Sequence, residues 1–175
     1  MIQYKYIKGV YSAGRAYRYA IGKEWGYFGG QLDFIGMNPP PTKHRREHEK
    51  ELDKYASVAE SHGYSSCTLS NLFGYMTNDH SFLKIVGDPV GPQNYSEIAW
   101  LATKSKESGN PILCVWGDVD AVLMKKCRSV EILEDRGANL VCFGFTKKEN
   151  PVTIDQAKSI AKLIPLPPGL ANKYR

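Results

Sequence analysis

Asparagine and aromatic side chains follow four short apolar segments of the sequence. The loops that carry them are Asn38-Pro39-Pro40-Pro41, Asn71-Leu72-Phe73-Gly74-Tyr75, Trp116-Gly117-Asp118 and Thr146-Lys147-Lys148-Glu149-Asn150-Pro151. An asparagine amide offers a hydrogen-bond donor group and an acceptor, so it can hold a water molecule or read the edge of a flat polar ligand. The loops contain no obvious nucleophilic serine or cysteine and no histidine-rich metal set. These residue types predict a site that positions water and a polar ligand, and we expect no metal and no other cofactor.

Each apolar segment is predicted to be a β-strand, and each is followed by a helical pattern. The strand segments are 32–37, 66–70, 112–116 and 140–143, and the helical segments are 43–62, 96–108, 119–135 and a last one capped by Thr153-x-x-Gln156. This alternation is typical of a parallel sheet with helices on both faces. The sequence predicts an α/β fold, a three-layer αβα sandwich around a mostly parallel four-stranded sheet. Because ligands bind beyond the carboxyl ends of such strands, we expect Asn38 and Asn150 to meet at one rim.

Two terminal segments complete a single predicted domain that spans residues 1–175. Residues 1–33 contain short alternating stretches rich in tyrosine, separated by glycine turns, which predicts an N-terminal layer formed by an antiparallel hairpin. Residues 165–175 contain three prolines and no periodicity, which predicts an extended strap or a partly mobile end.

Hydropathy and charge narrow the range of partners. No run approaches the roughly 20 apolar residues of a membrane-spanning helix, and the amino terminus lacks the apolar core of a signal peptide, so we expect a cytoplasmic monomer without a membrane partner. The formal net charge of +5 mildly favours polyanions such as DNA. The candidate contacts to a nucleic-acid backbone are Arg18, Lys43, Arg45, Arg46, Lys147 and Lys148. A solvated helical face is the alternative for the basic segment 43–50.

Four segments resemble motifs of the uracil-DNA glycosylases. The segment Phe34-Ile35-Gly36-Met37-Asn38-Pro39 resembles their first motif in its G-M-N-P and G-I-N-P versions. Asn71 is similar to the asparagine with which several members read a flipped base, and 112–117 resembles their apolar strand that ends in W-G. Asn150-Pro151 resembles the second motif, which is usually H-P-S. The matches keep this order over residues 34–151.

A closer resemblance runs nearly end to end. The chain is similar to an uncharacterised family of bacteria and phages, the domain of unknown function 1643, whose pattern includes R-Y-x-L, L-N-P-S, N-L-F-x-Y, D-P-V-G-P-x-N, W-G and L-G-x-T-K. The corresponding segments are Arg18-Tyr19, Asn38-Pro39, 71–75, 88–94, Trp116-Gly117 and 143–148. Two departures are that the family's S-T-A-D after the first motif is Pro40-Pro41-Thr42-Lys43 here, and that its H-P is Asn150-Pro151.

The glycosylase resemblance implies a fold and a function. It implies a uracil-DNA glycosylase-like domain that flips a uracil or a modified pyrimidine into a rim pocket and hydrolyses its N-glycosidic bond without metal. In such a site Asn38 would orient the water, Asn71 would read the base, and Asn150 would face the leaving base in place of histidine. Further residues implied to bind base or substrate are Gly36, Met37, Pro39, Phe73, Tyr75, Trp116 and Pro151.

Structural roles are open alternatives for the same side chains. Asn38 fits a turn that ends a strand, Asn71 fits a buried amide that satisfies loop backbone, and Arg18 fits an exposed strand position. Trp116 and one of the pair Phe73 and Tyr75 fit the core. For the whole protein, the alternatives are a non-catalytic module that binds a nucleotide or modified DNA, and an enzyme that acts on free nucleotides.

Overall fold

A seven-stranded mixed sheet forms the centre of the protein. The computed structural model describes residues 6–42 and 44–175. The strands are β1 Tyr6–Tyr11, β2 Arg18–Glu24, β3 Gln31–Gly36, β4 Ser66–Asn71, β5 Ile112–Cys114, β6 Leu140–Cys142 and β7 Ile164–Pro165. They lie in the order β1-β2-β4-β3-β5-β6-β7. The α/β class is confirmed, whereas the sheet is larger than the four strands that the apolar segments predicted.

The sheet is parallel in the middle and antiparallel toward both edges. Strands β4, β3, β5 and β6 run parallel to one another. Strand β2 pairs antiparallel with β4, and β7 pairs antiparallel with β6. The N-terminal hairpin of β1 and β2 therefore extends the sheet and does not form a separate layer. Its own alternation could not reveal this, because tertiary context decides which edge a strand joins.

Helices cover both faces of the sheet. They are α1 Arg45–Ser61, α2 Phe82–Ile85, α3 Asn94–Ser108, α4 Ala121–Met124 and α5 Ser129–Asp135. Successive residues of a strand point to opposite faces. On β5, Leu113 packs in a cluster with Leu52 of α1, whereas Ile112 packs in a cluster with Leu101 of α3 and Leu133 of α5. No helix in the described part of the chain is long and apolar enough to cross a membrane.

Two of the predicted helices differ from the structure. The segment 119–135 contains the separate helices α4 and α5. The capping box at Thr153 forms, but the chain makes only the single 3-10 turn Ile154–Gln156 after it. The apolar side chains of Ile154, Ala157 and Ile160 still pack against the core on the side of α1. The spacing of these three residues thus reflects burial against a neighbouring surface. Such burial does not require a helix.

The C-terminal segment is attached to the domain at several points. Strand β7 pairs with β6, and Leu170 and Ala171 are buried within the 3-10 turn Leu170–Tyr174. The carboxylate of Glu134 on α5 accepts hydrogen bonds from the backbone N–H groups of Leu170 at 2.7 Å and Ala171 at 3.1 Å. The expected extended or partly mobile tail is therefore a packed element, because charge-assisted bonds and apolar burial act together on it.

A buried chain of polar side chains joins β1 and β2 to α1. The Arg18 guanidinium donates to both carboxylate oxygens of Glu51, at 2.7 Å and 2.5 Å. It also donates to the Thr42 hydroxyl at 3.3 Å, which lies 2.8 Å from Nδ1 of His48. The Tyr11 hydroxyl lies 3.2 Å from Nε2 of the same imidazole. Because Arg18 is fully buried, the structure does not present it to a nucleic-acid backbone or to solvent.

The Glu134 contacts predict a measurable stabilisation by the tail. We expect Glu134→Gln to lower the free energy of unfolding by about 1–2 kcal/mol, because hydrogen bonds to charged groups are worth more than those between neutral groups. Urea denaturation measures this change. The control is Glu107→Gln on the exposed side of α3, for which we expect a change below about 0.5 kcal/mol. Equal losses in the two variants would contradict the assigned role of Glu134.

The burial of His48 predicts that acid destabilises the protein. Burial, followed by repulsion from Arg18, lowers the pKa of His48 from the ordinary value of 6.5. The unfolded chain therefore binds a proton at His48 more readily than the folded protein does. The contribution of neutral His48 to the free energy of unfolding is complete above pH 6.5 and is lost as the pH falls below it. We expect the melting temperature of the wild type to fall more than that of His48→Gln on acidification from about pH 7.5 to about pH 5.5. A constant difference between the two proteins over that range would contradict the prediction.

Candidate functional site

A cavity of about 260 Å³ opens at the carboxyl ends of β3, β4 and β5. Its wall includes Gly36, Met37 and Asn38 after β3, Leu69 and Asn71 on β4, and Val115 and Trp116 after β5. Helix α1 contributes Glu51, Lys54 and Tyr55, and the remaining wall comes from Pro40, His80 and residues 153–155. The first predicted motif and the segment just after the last one therefore line a common cavity at the carboxyl ends of the parallel strands.

Asn38 lines this cavity and has an acceptor without a hydrogen-bond partner. Its Nδ2 donates to the backbone oxygen of Thr77 at 2.8 Å and to that of Pro39 at 3.3 Å. Because a carbonyl oxygen can only accept, these bonds determine which end of the amide is the nitrogen. The opposite atom, Oδ1, is buried and has no hydrogen-bond partner in the protein. A buried acceptor left without a partner costs about 1–3 kcal/mol, so a polar ligand that binds it would recover this energy.

Asn71 also lines the cavity and has a buried donor without a hydrogen-bond partner. Its side chain is 2% exposed, and its Nδ2 is buried without a partner. Gly36 pairs with Asn71 in the parallel register of β3 and β4, and a Cβ atom at Gly36 would lie only 3.0 Å from the Asn71 Oδ1. Gly36 of the first motif thus leaves space for the side-chain amide of Asn71 on β4. The alternative in which the Asn71 side chain satisfies loop backbone receives no support from these contacts.

The segment 88–94 braces the loop that follows Asn71. The fully buried Asn94 donates to the backbone oxygens of Asn71 and Leu72, both at 3.0 Å. Asp88 accepts from the N–H groups of Val90 and Gly91, and the N–H of Gly74 donates to the Val90 oxygen at 3.0 Å. The D-P-V-G-P-Q-N segment therefore has a structural role: it holds the end of β4 and the adjoining loop in place.

The aromatic residues after β4 do not line the cavity. Phe73 is fully buried in the core beneath α3, and Tyr75 packs against that core and edge-on against Tyr17 at 5.6 Å. Packing rather than base stacking therefore accounts for Phe73 and Tyr75. This differs from the expectation that one of the two rings would be free to stack on a base. Trp116 is 2% exposed and belongs to the core, but it also contributes to the cavity wall. The buried Pro39 uses its carbonyl to accept from the Thr77 N–H at 3.0 Å.

Asn150 does not meet Asn38 at the cavity. Its Nδ2 donates to Asp118 Oδ1 at 2.8 Å, and its Oδ1 accepts from the Tyr174 hydroxyl at 2.7 Å. The hydrogen bonds from Asn150 and Thr146 lower the pKa of Asp118. The C-terminal turn therefore engages the amide that was expected to face a leaving base. Pro151 is buried, and its oxygen accepts from the Gly117 N–H at 2.9 Å, which places residues 153–155 at the cavity.

The basic residues predicted to contact a nucleic-acid backbone differ in their exposure. Arg46, Lys147 and Lys148 are exposed, and the two lysines follow β6 at the carboxyl edge of the sheet. Arg18 is buried and pairs with Glu51, so it is not exposed to a nucleic-acid backbone. Lys43 lies outside the described residues, and the side chain of Arg45 is likewise outside them.

Sequence reasoning missed the charged wall that α1 contributes. Glu51, Lys54 and Tyr55 are spaced at i, i+3 and i+4, so they share one face of this helix. Lys54 forms an ion pair with Asp155 at 2.9 Å, which links the helix to the turn after the last motif. Burial raises the pKa of Tyr55, whose ring packs edge-on against Phe34 at 5.2 Å. One feature of the sequence could have indicated this wall: a predicted helix directly follows the Asn38 loop, and such a helix places its first turns near the site.

The wall chemistry suits a small polar ligand with both a donor and an acceptor. Within residues 6–42 and 44–175, no group of three or more His, Cys, Asp or Glu side chains could hold a metal ion. The acceptor of Asn38 and the donor of Asn71 are neutral, whereas the adjoining wall carries Glu51 and the Lys54–Asp155 pair. Such a site can bind an uncharged heterocycle beside a charged group.

Comparison with known proteins assigns the chain at the level of the family. No curated protein and no solved structure matches it. The model of the family described as "Protein of unknown function (DUF1643)" matches residues 18–152, a range that contains Arg18, Asn38, Asn71, Asn94 and Asn150. The matched range covers most of the 175 residues. The chain therefore belongs to the DUF1643 family.

Proposed function

We propose that the cavity binds a nucleobase and that the protein hydrolyses the N-glycosidic bond of a uracil or modified pyrimidine nucleotide in DNA. The observation that carries the proposal is that two residues lining the cavity, Asn38 and Asn71, each have a buried amide atom without a hydrogen-bond partner, the Oδ1 acceptor of Asn38 and the Nδ2 donor of Asn71. A hydrolytic site needs an acceptor for its water, and a pyrimidine carbonyl needs a donor. One site that supplies both can hold the two reactants together, which lowers the entropic barrier.

Asn38 orients the attacking water in this proposal. Because two carbonyl oxygens hold its Nδ2, the free Oδ1 keeps a constant direction and can accept a hydrogen bond from the water. Such an acceptor directs an oxygen lone pair toward the anomeric carbon. The resemblance of residues 34–39 to the first glycosylase motif supports this assignment.

Asn71 reads the base and stabilises it as it leaves. Its Nδ2 can donate to a pyrimidine carbonyl, on which negative charge grows as the C–N bond breaks. A neutral amide stabilises that charge less than a protonated histidine does. Since Asn150 is engaged by Asp118 and Tyr174, we do not assign it to the leaving base. The arrangement fits a slow enzyme or a base that is a good leaving group.

DNA is the proposed polymer because exposed basic side chains lie at the carboxyl edge of the sheet and on the helix that contributes to the cavity wall. Lys147 and Lys148 follow β6, and Arg46 lies in the first turn of α1, the helix that forms one cavity wall. Phosphate contacts of this kind contribute affinity without base specificity. Contacts to phosphates also make binding weaken as salt concentration rises.

A non-catalytic nucleotide-binding module is the second candidate. It is favoured by the contacts of Asn150, which engage both ends of the amide that was expected to face the leaving base. It predicts tight binding of a nucleotide or of modified DNA, with the base recovered intact.

The first experiment measures release of free base from oligonucleotides that carry uracil, mismatched thymine or modified pyrimidines. We expect Asn38→Ala to lower the rate about 100-fold to 1,000-fold, the loss typical when one group that positions or stabilises the reacting atoms is removed. The control is Asn139→Ala, which lies at the amino end of β6 and binds the Gly109 oxygen at the opposite end of the sheet. Absence of base release from the whole panel, or an unchanged rate in Asn38→Ala, contradicts the proposed hydrolysis.

The close approach of Gly36 to Asn71 generates a second test. We expect Gly36→Ala to weaken binding of the substrate oligonucleotide roughly tenfold, equivalent to about 1.4 kcal/mol, because its Cβ displaces the Asn71 amide. Gly14→Ala is the control, since a Cβ there meets nothing within 4 Å. Equal affinity of the two variants in a binding titration would show that the Asn71 amide does not read the ligand.

A further inference from the structure

Hydrolysis at this site needs a group that accepts a proton. The attacking water must lose a proton as its oxygen bonds to the anomeric carbon, and an asparagine amide is a poor base. Asn38 can therefore orient the water but cannot complete the proton transfer. The acceptor must come from another side chain on the same cavity wall.

Glu51 is the less exposed of the two carboxylates on that wall. It lies on α1 and lines the cavity with Asn38, and its side chain is 13% exposed. Each of its oxygens accepts one hydrogen bond from Arg18. A carboxylate has about four acceptor positions, so each oxygen retains the capacity to bind a water molecule.

The other titratable groups around the cavity are less suited to this role. Lys54 and Asp155 bind each other and are largely exposed, with side-chain exposures of 44% and 74%. His80 is exposed. Burial raises the pKa of Tyr55, so its hydroxyl stays protonated at neutral pH. His48, which lies near Glu51 on the same helix, directs its two ring nitrogens to Thr42 and Tyr11.

Arg18 holds Glu51 in a defined position relative to the Asn38 loop. Its guanidinium binds both Glu51 oxygens and also donates to Thr42 at 3.3 Å. Thr42 follows the three prolines of the first motif, and its N–H donates to the Pro40 oxygen at 2.9 Å. One buried cation therefore contacts both the proposed base and the loop that carries the water-binding amide.

We propose that Glu51 is the general base of the site, an inference that rests on the proposed hydrolysis. The water held by Asn38 forms a bond from its oxygen to the anomeric carbon and gives its proton to Glu51. The C–N bond breaks, and its electron pair leaves with the base, which Asn71 holds as an anion. The departing base then takes up one proton from solvent, and Glu51 returns its proton to solvent.

The test is the pH–rate profile of Glu51→Gln on an oligonucleotide that the wild type cleaves. We expect the rate to fall about 100-fold to 10,000-fold, the usual contribution of a general base. We also expect the decline of the wild-type rate at acidic pH to disappear, since glutamine cannot be protonated there. Affinity for the oligonucleotide should change less than threefold, on the order of 0.6 kcal/mol, because the base is read by Asn71.

Asp53→Asn provides the matched control. Asp53 lies on the same helix and pairs with Lys23, whose side chain is fully buried, at 2.6 Å. It does not line the cavity. The variant thus also removes a carboxylate from a buried cation, and we expect it to keep the wild-type rate and pH profile.

Glu51→Asp covers the case in which Glu51→Gln does not fold. It keeps the negative charge near Arg18 but withdraws the carboxylate by one methylene, so we expect a reduced rate that still declines at acidic pH. A wild-type rate and profile in a folded Glu51→Gln or Glu51→Asp overturns the role of Glu51 and leaves the hydrolysis intact. A wild type that releases no base overturns both proposals together.

Discussion

The buried ion pair of Arg18 and Glu51 joins the antiparallel part of the sheet to the helix that forms one wall of the cavity. Arginine cannot lose its proton, and a fully buried cation without a partner would cost several kcal/mol. This pair therefore holds strand β2, which carries Arg18, against helix α1, which carries Glu51. Because the same guanidinium binds Thr42, the loop after Asn38 is held by this interaction too.

The parallel register supplies the second constraint. It pairs Gly36 with Asn71 and so brings the end of the first motif against the amide of the neighbouring strand. Asn94 holds the backbone at Asn71 from the other side. Segments that are separate in the sequence thus form one scaffold. It places two residues with an unpartnered amide atom, Asn38 and Asn71, in the lining of the same cavity.

The last motif contributes to this scaffold in a different way from the first. Asn150 uses both ends of its amide to connect Asp118 with Tyr174. The chain then passes Pro151, and residues 153–155 reach the cavity. The asparagine in this motif therefore acts as a link between the sheet edge and the C-terminal turn, while the adjoining turn closes the wall. Helix α1, which no motif indicates, contributes Glu51, Lys54 and Tyr55 to the cavity wall.

The sequence by itself determined the α/β class, the four parallel strands, helices α1 and α3, and the position of Asn38 and Asn71 at the carboxyl edge. These features depend on local periodicity and on where apolar runs end, which can be read along the chain. Only the tertiary structure decided that Arg18 is buried against Glu51, that Asn150 binds Tyr174, and that the hairpin joins the sheet. A glutamate on a polar helical face has the same pattern whether it contacts solvent or a distant arginine. The physical reason is that such pairings join residues far apart in the chain, and no local period records them.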